Sequence, residues 1–186
     1  MIYPDNSCGA AGELSPIESS QLENLLREMQ SKIHASGVLS LAANYTSTLM
    51  WSHYARNHRG VALEFDAIKW CDQMPWMNGQ FHLVSYSQNR IQLMLTREHY
   101  DKAQLFNAAI LTKDLCWKHE EEWRVITRKP DCLKFPEPSL TGVIFGCCTP
   151  DENKARLREV CATLPEVKFY QAKMRTNEFG LDLEPC

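Results

Sequence analysis

The chain has 186 residues, 44% of them hydrophobic and 23% charged, a balance that can bury one sizeable core and excludes the disordered and low-complexity classes. A net charge of -3 excludes a global basic field for nucleic acid or membranes, although a local basic groove, and with it nucleic acid, is not excluded. No apolar run approaches the roughly 18 residues of a membrane helix.

Met1 to Gly9 lacks a basic stretch followed by an apolar one, so no secretory signal is expected. Cys8, Cys71, Cys116, Cys132, Cys147, Cys148, Cys161 and Cys186 contain no C-x-x-C pair, which favours reduced thiols and a cytoplasmic protein over a disulfide framework or zinc site.

Residues 1–14 have no period and read as a loose tail, and residues 15–186 as one domain. Ser15-Pro16-Ile17-Glu18 is a helix start, with serine as cap and proline in the first turn. Leu22, Leu25, Leu26, Met29 and Ile33 continue it at helical spacing as far as Gly37, as a core-packing face. Val38 to Ala42 reads as a strand, and Thr46 or Ser47 caps a short helix through Arg56.

Gly60 ends that helix and opens the strand Val61–Phe65. Residues 66–79, rich in Trp, Met and Pro, suggest a loop with an aromatic lid, with Trp70 and Trp76 exposed. Phe81–Tyr86 reads as a strand, Arg97 to Cys116 as a helix, and the stretch from Glu120 to Thr127 as a strand. Gly142–Gly146 is a buried strand, and a helix runs from Pro150 to about Leu164 with acids in its first turn. Strands at Val167–Ala172 and Glu178–Leu183 close the chain. The result is an α+β fold with a mixed, mostly antiparallel sheet and about three helices.

Two stretches gather polar chemistry. The first is Trp51-Ser-His53-Tyr54-Ala-Arg56-Asn-His58-Arg59 against the apolar run after Gly60. The second is Trp117-x-x-Glu120-x-Glu122-Trp123-Arg124, where an extended backbone places Glu120, Glu122 and Arg124 on one face. Burial there raises one carboxyl while Arg124 keeps the other ionised. The plainer alternative is a solvated acidic strand with Arg124 as an ion-pair partner. His53 and His58, five apart, miss the four-residue spacing of a helical zinc pair, and no metal is predicted.

Together with Gly37–Leu41, Val143–Gly146 and Phe169–Lys173, these motifs resemble the bacterial domain-of-unknown-function family 2971 over residues 36–183. The chain departs from that family in residues 1–35, which lack its N-terminal Tyr/Arg-type strand and Asn-Asp-Pro-Phe-like segment. A looser resemblance is to the ADP-ribosyltransferase superfamily, through Glu120-x-Glu122 and the Ser52-His53-Tyr54 segment.

That resemblance implies a split sheet and NAD as substrate. Glu122 would stabilise the oxocarbenium-like transition state and Glu120 would handle the acceptor. Tyr54 or Trp51 would stack on nicotinamide, and Arg56 or Arg59 would pair with the pyrophosphate, with His53, Trp117 and Arg124 completing the site. It further implies a bacterial toxin or phage-defence effector acting on an unknown macromolecular acceptor. Two alternatives stand beside it: a non-catalytic binding domain, and a metal-dependent nuclease or phosphoesterase using Glu64, Asp66, Glu120 and Glu122.

Overall fold

A computed structural model describes residues 16–74, 80–89, 102–129 and 134–186. Its elements are α1 (Pro16–His34), β1 (Gly37–Ala42), α2 (Thr48–Tyr54), β2 (Val61–Phe65), α3 (Ala67–Gln73), β3 (Phe81–Leu83) and β4 (Ser85–Ser87). They continue with α4 (Lys102–Leu111), β5 (Thr112–Asp114), β6 (Glu122–Thr127), β7 (Leu140–Phe145), α5 (Asp151–Val160), β8 (Lys168–Met174) and β9 (Leu181–Pro185). Short 3-10 turns occupy Leu115–Glu120, Glu137–Ser139 and Cys161–Thr163. The pairings β2–β7, β3–β6 and β8–β9 are antiparallel, whereas β7–β8 and β4–β5 are parallel, so the fold is mixed α+β with mostly antiparallel sheets.

The elements group into two compact units, neither of them a continuous stretch of chain. The first holds α1, β1 up to Leu41, β3, β4, α4, β5 and β6. Its sheet has the order β1-β6-β3, with Phe81 opposite Val125 and Leu83 opposite Trp123. The helical spacing in α1 sends Met29 and Ile33 onto Phe106, Ile110 and Ile126, an apolar cluster that joins α1, α4 and β6. The buried Ile110 and Ile126 side chains each contribute about 1.5–3 kcal/mol by leaving water, and the partly buried Met29 and Ile33 less.

The second unit holds α2, β2, α3, residues His119–Glu121, β7, α5, β8 and β9, with strand order β2-β7-β8-β9. Central β7 ends in the apolar run Val143-Ile144-Phe145, where both of its faces are covered. Val143 and Phe145 pack with Cys161, Val167 and Leu157 of α5. Ile144, on the opposite face, packs with Trp51 and Ala55, and with Ala172 and Leu181. The α2 segment is therefore bolted to the sheet through Trp51 and Ala55.

Several expectations from the sequence need correction. Residues 67–73 form α3, where a loop was expected: the Asp66 carboxylate caps it by accepting from the Ile68 and Lys69 amides at 2.9 and 3.1 Å. Trp70 is not exposed but 2% accessible, packed with Phe65 and Phe135. The remainder of the expected lid, residues 75–79 with Trp76, lies outside the described residues. Phe81–Tyr86 is two strands in different sheets, broken at Val84. Thr112–Asp114 is a strand rather than the end of a helix, and the last strand begins at Leu181 rather than Glu178. Ser15 and residues 97–101 lie outside the described residues.

Candidate functional site

The Ser47 hydroxyl caps α2 by accepting from the Met50 amide, as its position before an apolar-aromatic run suggests. That fixes the helix phase. Trp51 turns inward at 3% exposure, and its indole N–H donates to the Tyr45 carbonyl at 2.7 Å. Tyr54, three residues on, points outward and is 65% exposed. Trp51 is thus a packing residue, and Tyr54 is the aromatic ring of this segment that a ligand can reach.

The turn after α2 is unusual for L-residues. Arg56, Asn57 and His58 take φ of 48°, 54° and 64°, three left-handed residues in a row. Asparagine tolerates this region, whereas arginine and histidine are held there at a cost of about 1 kcal/mol or more each. Local bonds enforce the turn: the His58 amide donates to the Trp51 carbonyl at 3.3 Å, and the Gly60 amide to the Ala55 carbonyl at 2.8 Å. A side chain at position 60 would begin 3.1 Å from the Ala55 backbone, closer than ordinary van der Waals contact.

His58 is buried and stacks parallel to Trp51, with ring centroids 6.3 Å apart. Its Nε2 lies 3.2 Å from the Ser52 hydroxyl, whose own proton goes to the Thr48 carbonyl at 2.9 Å. Nε2 therefore donates to Ser52, and Nδ1 is left with no partner among the described residues. Arg56 and Arg59 are exposed at either end of the turn, and His53 is exposed beside Tyr54 with its ring edge-on at 6.3 Å.

The second motif does not behave as one strand. Leu115–Glu120 is a 3-10 turn, Glu121 takes φ of 45°, and extended backbone begins only at Glu122. Glu120 is consequently off the face that Glu122 and Arg124 share. It belongs to the second unit, where the Tyr54 hydroxyl donates to its Oε1 at 2.8 Å while the Glu120 side chain is almost fully buried. The two stretches that stood out in the sequence meet here, through Tyr54 and Glu120.

Glu122, in the first unit, has a different life. Arg124 grips both of its oxygens, from Nε at 2.8 Å and Nη2 at 3.1 Å, and Lys113 Nζ adds a contact at 3.1 Å. Arg124 also donates to the Ile110 carbonyl, the Glu122 amide donates to the Tyr86 hydroxyl at 2.8 Å, and Lys113 lies 5.1 Å from the half-exposed Trp117 ring. Burial pushes the Glu122 carboxyl up, but the bonds from Arg124, Ser40 and Lys113 outweigh it and hold the group down at about 2. At neutral pH it is an anion whose oxygens are occupied by Arg124 and Lys113.

Residues 50–125 match the family model described as a protein of unknown function (DUF2971). This covers both motifs, from the start of the Trp51 segment to Arg124. No curated protein and no solved structure matches the chain. Among the described residues, no group of three or more His, Cys, Asp or Glu gathers in a way that could hold a metal ion, and no helix is long and apolar enough to cross a membrane.

Of the residues singled out in the sequence, Tyr54 and Glu120 are in contact, and His53, Arg56 and Arg59 flank Tyr54 in the chain. Glu122 and Arg124 pair with each other, with Trp117 linked to them through Lys113. Lys113 and Tyr86 were missed. Lys113 falls inside the helix expected from Arg97 to Cys116, whereas the helix ends at Leu111 and the strand that follows turns Lys113 towards Glu122.

Proposed function

We propose that the protein is an ADP-ribosyltransferase-like, NAD-cleaving enzyme whose working surface is Tyr54, Glu120 and the Arg56–Arg59 turn. The observation that carries this is the 2.8 Å bond from the Tyr54 hydroxyl to the buried Glu120 carboxylate. It fixes an exposed aromatic face that can stack on a flat heterocycle, a contact worth about 1–3 kcal/mol. Arg56 and Arg59, exposed on the adjoining turn, supply guanidinium groups for a pyrophosphate.

In this reading the carboxylate whose negative charge steadies the developing ribose cation is Glu120, acting from beneath Tyr54, and not Glu122. The charge of Glu122 is already cancelled by Arg124 and Lys113, and a neutralised anion gives a cationic transition state little help. Cleavage releases nicotinamide, and water or an acceptor nucleophile adds at the ribose carbon. The split-sheet likeness to that superfamily, and a role as a toxin or phage-defence effector, belong to the same proposal.

The test is NAD titration calorimetry together with nicotinamide release. Wild type should bind and release, Tyr54→Ala should weaken binding about tenfold or more, and Glu120→Gln should slow release by about 10²–10³ while binding persists. Absence of both binding and release would sink the proposal.

One observation favours a second reading, a non-catalytic binding domain. The carboxylate most expected to be catalytic, Glu122, is fully engaged by the chain's own groups. NAD binding that depends on Tyr54, with no release in any variant, is the outcome that selects it.

A further inference from the structure

We propose that Cys147 and Cys148 form a modification site, a vicinal dithiol that a low-molecular-weight disulfide oxidises to a strained bridge, loosening the Arg56–Gly60 turn. The two cysteines come after β7 in a tight turn, Cys147 half-buried against the Trp51–Ile144 cluster and Cys148 exposed. Both are free thiols.

The turn is tied to the α2 segment at several points. The Cys148 amide donates to the His58 carbonyl at 2.9 Å, the Gly146 amide to the Gly60 carbonyl at 3.1 Å, and the Thr149 hydroxyl to the same Gly60 carbonyl at 2.8 Å. Contact is so close that a side chain on Gly146 would overlap the His58 carbonyl oxygen. The carbonyl of the last left-handed residue is therefore held by the peptide unit that joins the two cysteines.

Neighbouring α-carbons are about 3.8 Å apart across a trans peptide, shorter than the roughly 4.4–6.8 Å that a relaxed disulfide spans. A bridge between them strains the peptide unit they share, and strained, accessible disulfides are the easily reduced, regulatory kind. That same peptide unit carries the N–H bonded to His58. Bridge formation and the His58 bond compete for one short piece of backbone.

The exchange is balanced. Cys148, the exposed member of the pair, gives up its proton as it attacks one sulfur of the external disulfide and displaces one thiol. Cys147 then attacks the Cys148 sulfur of the mixed disulfide and displaces the second, so two cysteine thiols and one disulfide become one bridge and two thiols, with the two protons on the leaving thiols. Burial and the adjacent thiol push the Cys147 thiol up, which leaves the first attack to the exposed Cys148.

The experiment treats the full chain with oxidised glutathione and maps the products by mass spectrometry. Residues 135–154 carry Cys147 and Cys148 and no other cysteine, so the bridge reads as the loss of two hydrogens in that peptide. Hydrogen exchange at the Cys148 amide, which donates the bond to His58, should then rise by about two- to tenfold, the weight of one neutral hydrogen bond, and exchange at the His58 and Gly60 amides of the loosened turn should rise with it. Dithiothreitol should restore both readouts, and Cys147→Ser should stop at the mixed adduct on Cys148. A stable glutathione adduct without a bridge in the wild type, a bridge to any other cysteine, or a bridge that leaves His58 and Gly60 exchange unchanged overturns the proposal.

Discussion

Replacing Glu122 by glutamine tests the ion network of the first unit in a way that pH resolves. The carboxyl ordinarily titrates near 4.5 and is held at about 2, so the folded state favours its charged form. At about 1.4 kcal/mol per tenfold in proton affinity, the gap corresponds to roughly 3 kcal/mol. The Lys113 and Arg124 side chains keep 22% and 18% exposure, so water screens part of it and about 2 kcal/mol is expected at pH 7.

The sign is set by the lowered value. This stability is present above about pH 4.5 and is lost as pH falls towards 2. In urea unfolding followed by circular dichroism, Glu122→Gln should shift the midpoint down by about 1 M at pH 7, for a slope near 2 kcal/mol/M. Near pH 2.5 only about a quarter of that difference should remain, because the held carboxyl is by then partly protonated and a protonated glutamate and a glutamine offer the same neutral group. A midpoint difference that stays the same from pH 7 to pH 2.5 would refute the reasoning.

Gly146→Ala should destabilise the chain by about 2 kcal/mol or more, because the His58 carbonyl must move to admit the methyl group, and a thermal melt reads this as a loss of several degrees. Asp66→Ala should cost about 1 kcal/mol by uncapping α3, whereas Asp66→Asn should recover most of it, as urea midpoints would report. Tyr54→Phe should lower the melting temperature by about 2–4 °C, since the buried Glu120 carboxylate loses one donor and the exposed ring position lets water replace part of it.

Strand β2 was legible to the residue, because Gly60 marks its start and Asp66 its end around an apolar run with β-formers. Helix α2 was legible through its serine cap, although it ends at Tyr54 and not at Arg56, and the Tyr54 ring points away from the buried Trp51 and Ala55. The signal for α3 was also present, in Asp66 before Ile68 and Lys69, but the tryptophan, methionine and proline content of residues 70–77 reads as a lid. The separation of Glu120 from Glu122 was not legible. It depends on a left-handed Glu121, and nothing about glutamate as a residue type announces that conformation. A period-2 reading assumes an unbroken strand, so it placed both carboxylates on one face. The Tyr54–Glu120 contact spans 66 positions and is a product of topology, which local pattern does not carry.

The pairing of β2 with β7 also has a consequence for synthesis. Val61 finds its register partner in Phe145, about 80 residues further along the chain. At roughly 5–20 residues/s on the ribosome, β2 waits on the order of 4–16 s before the centre of its sheet exists. During that interval its apolar side chains and its unpaired backbone are what a nascent-chain chaperone, or a second nascent copy, would encounter first. Slowing translation between Phe65 and Leu140 should therefore lower the soluble yield more than the same pause placed after β8 has emerged.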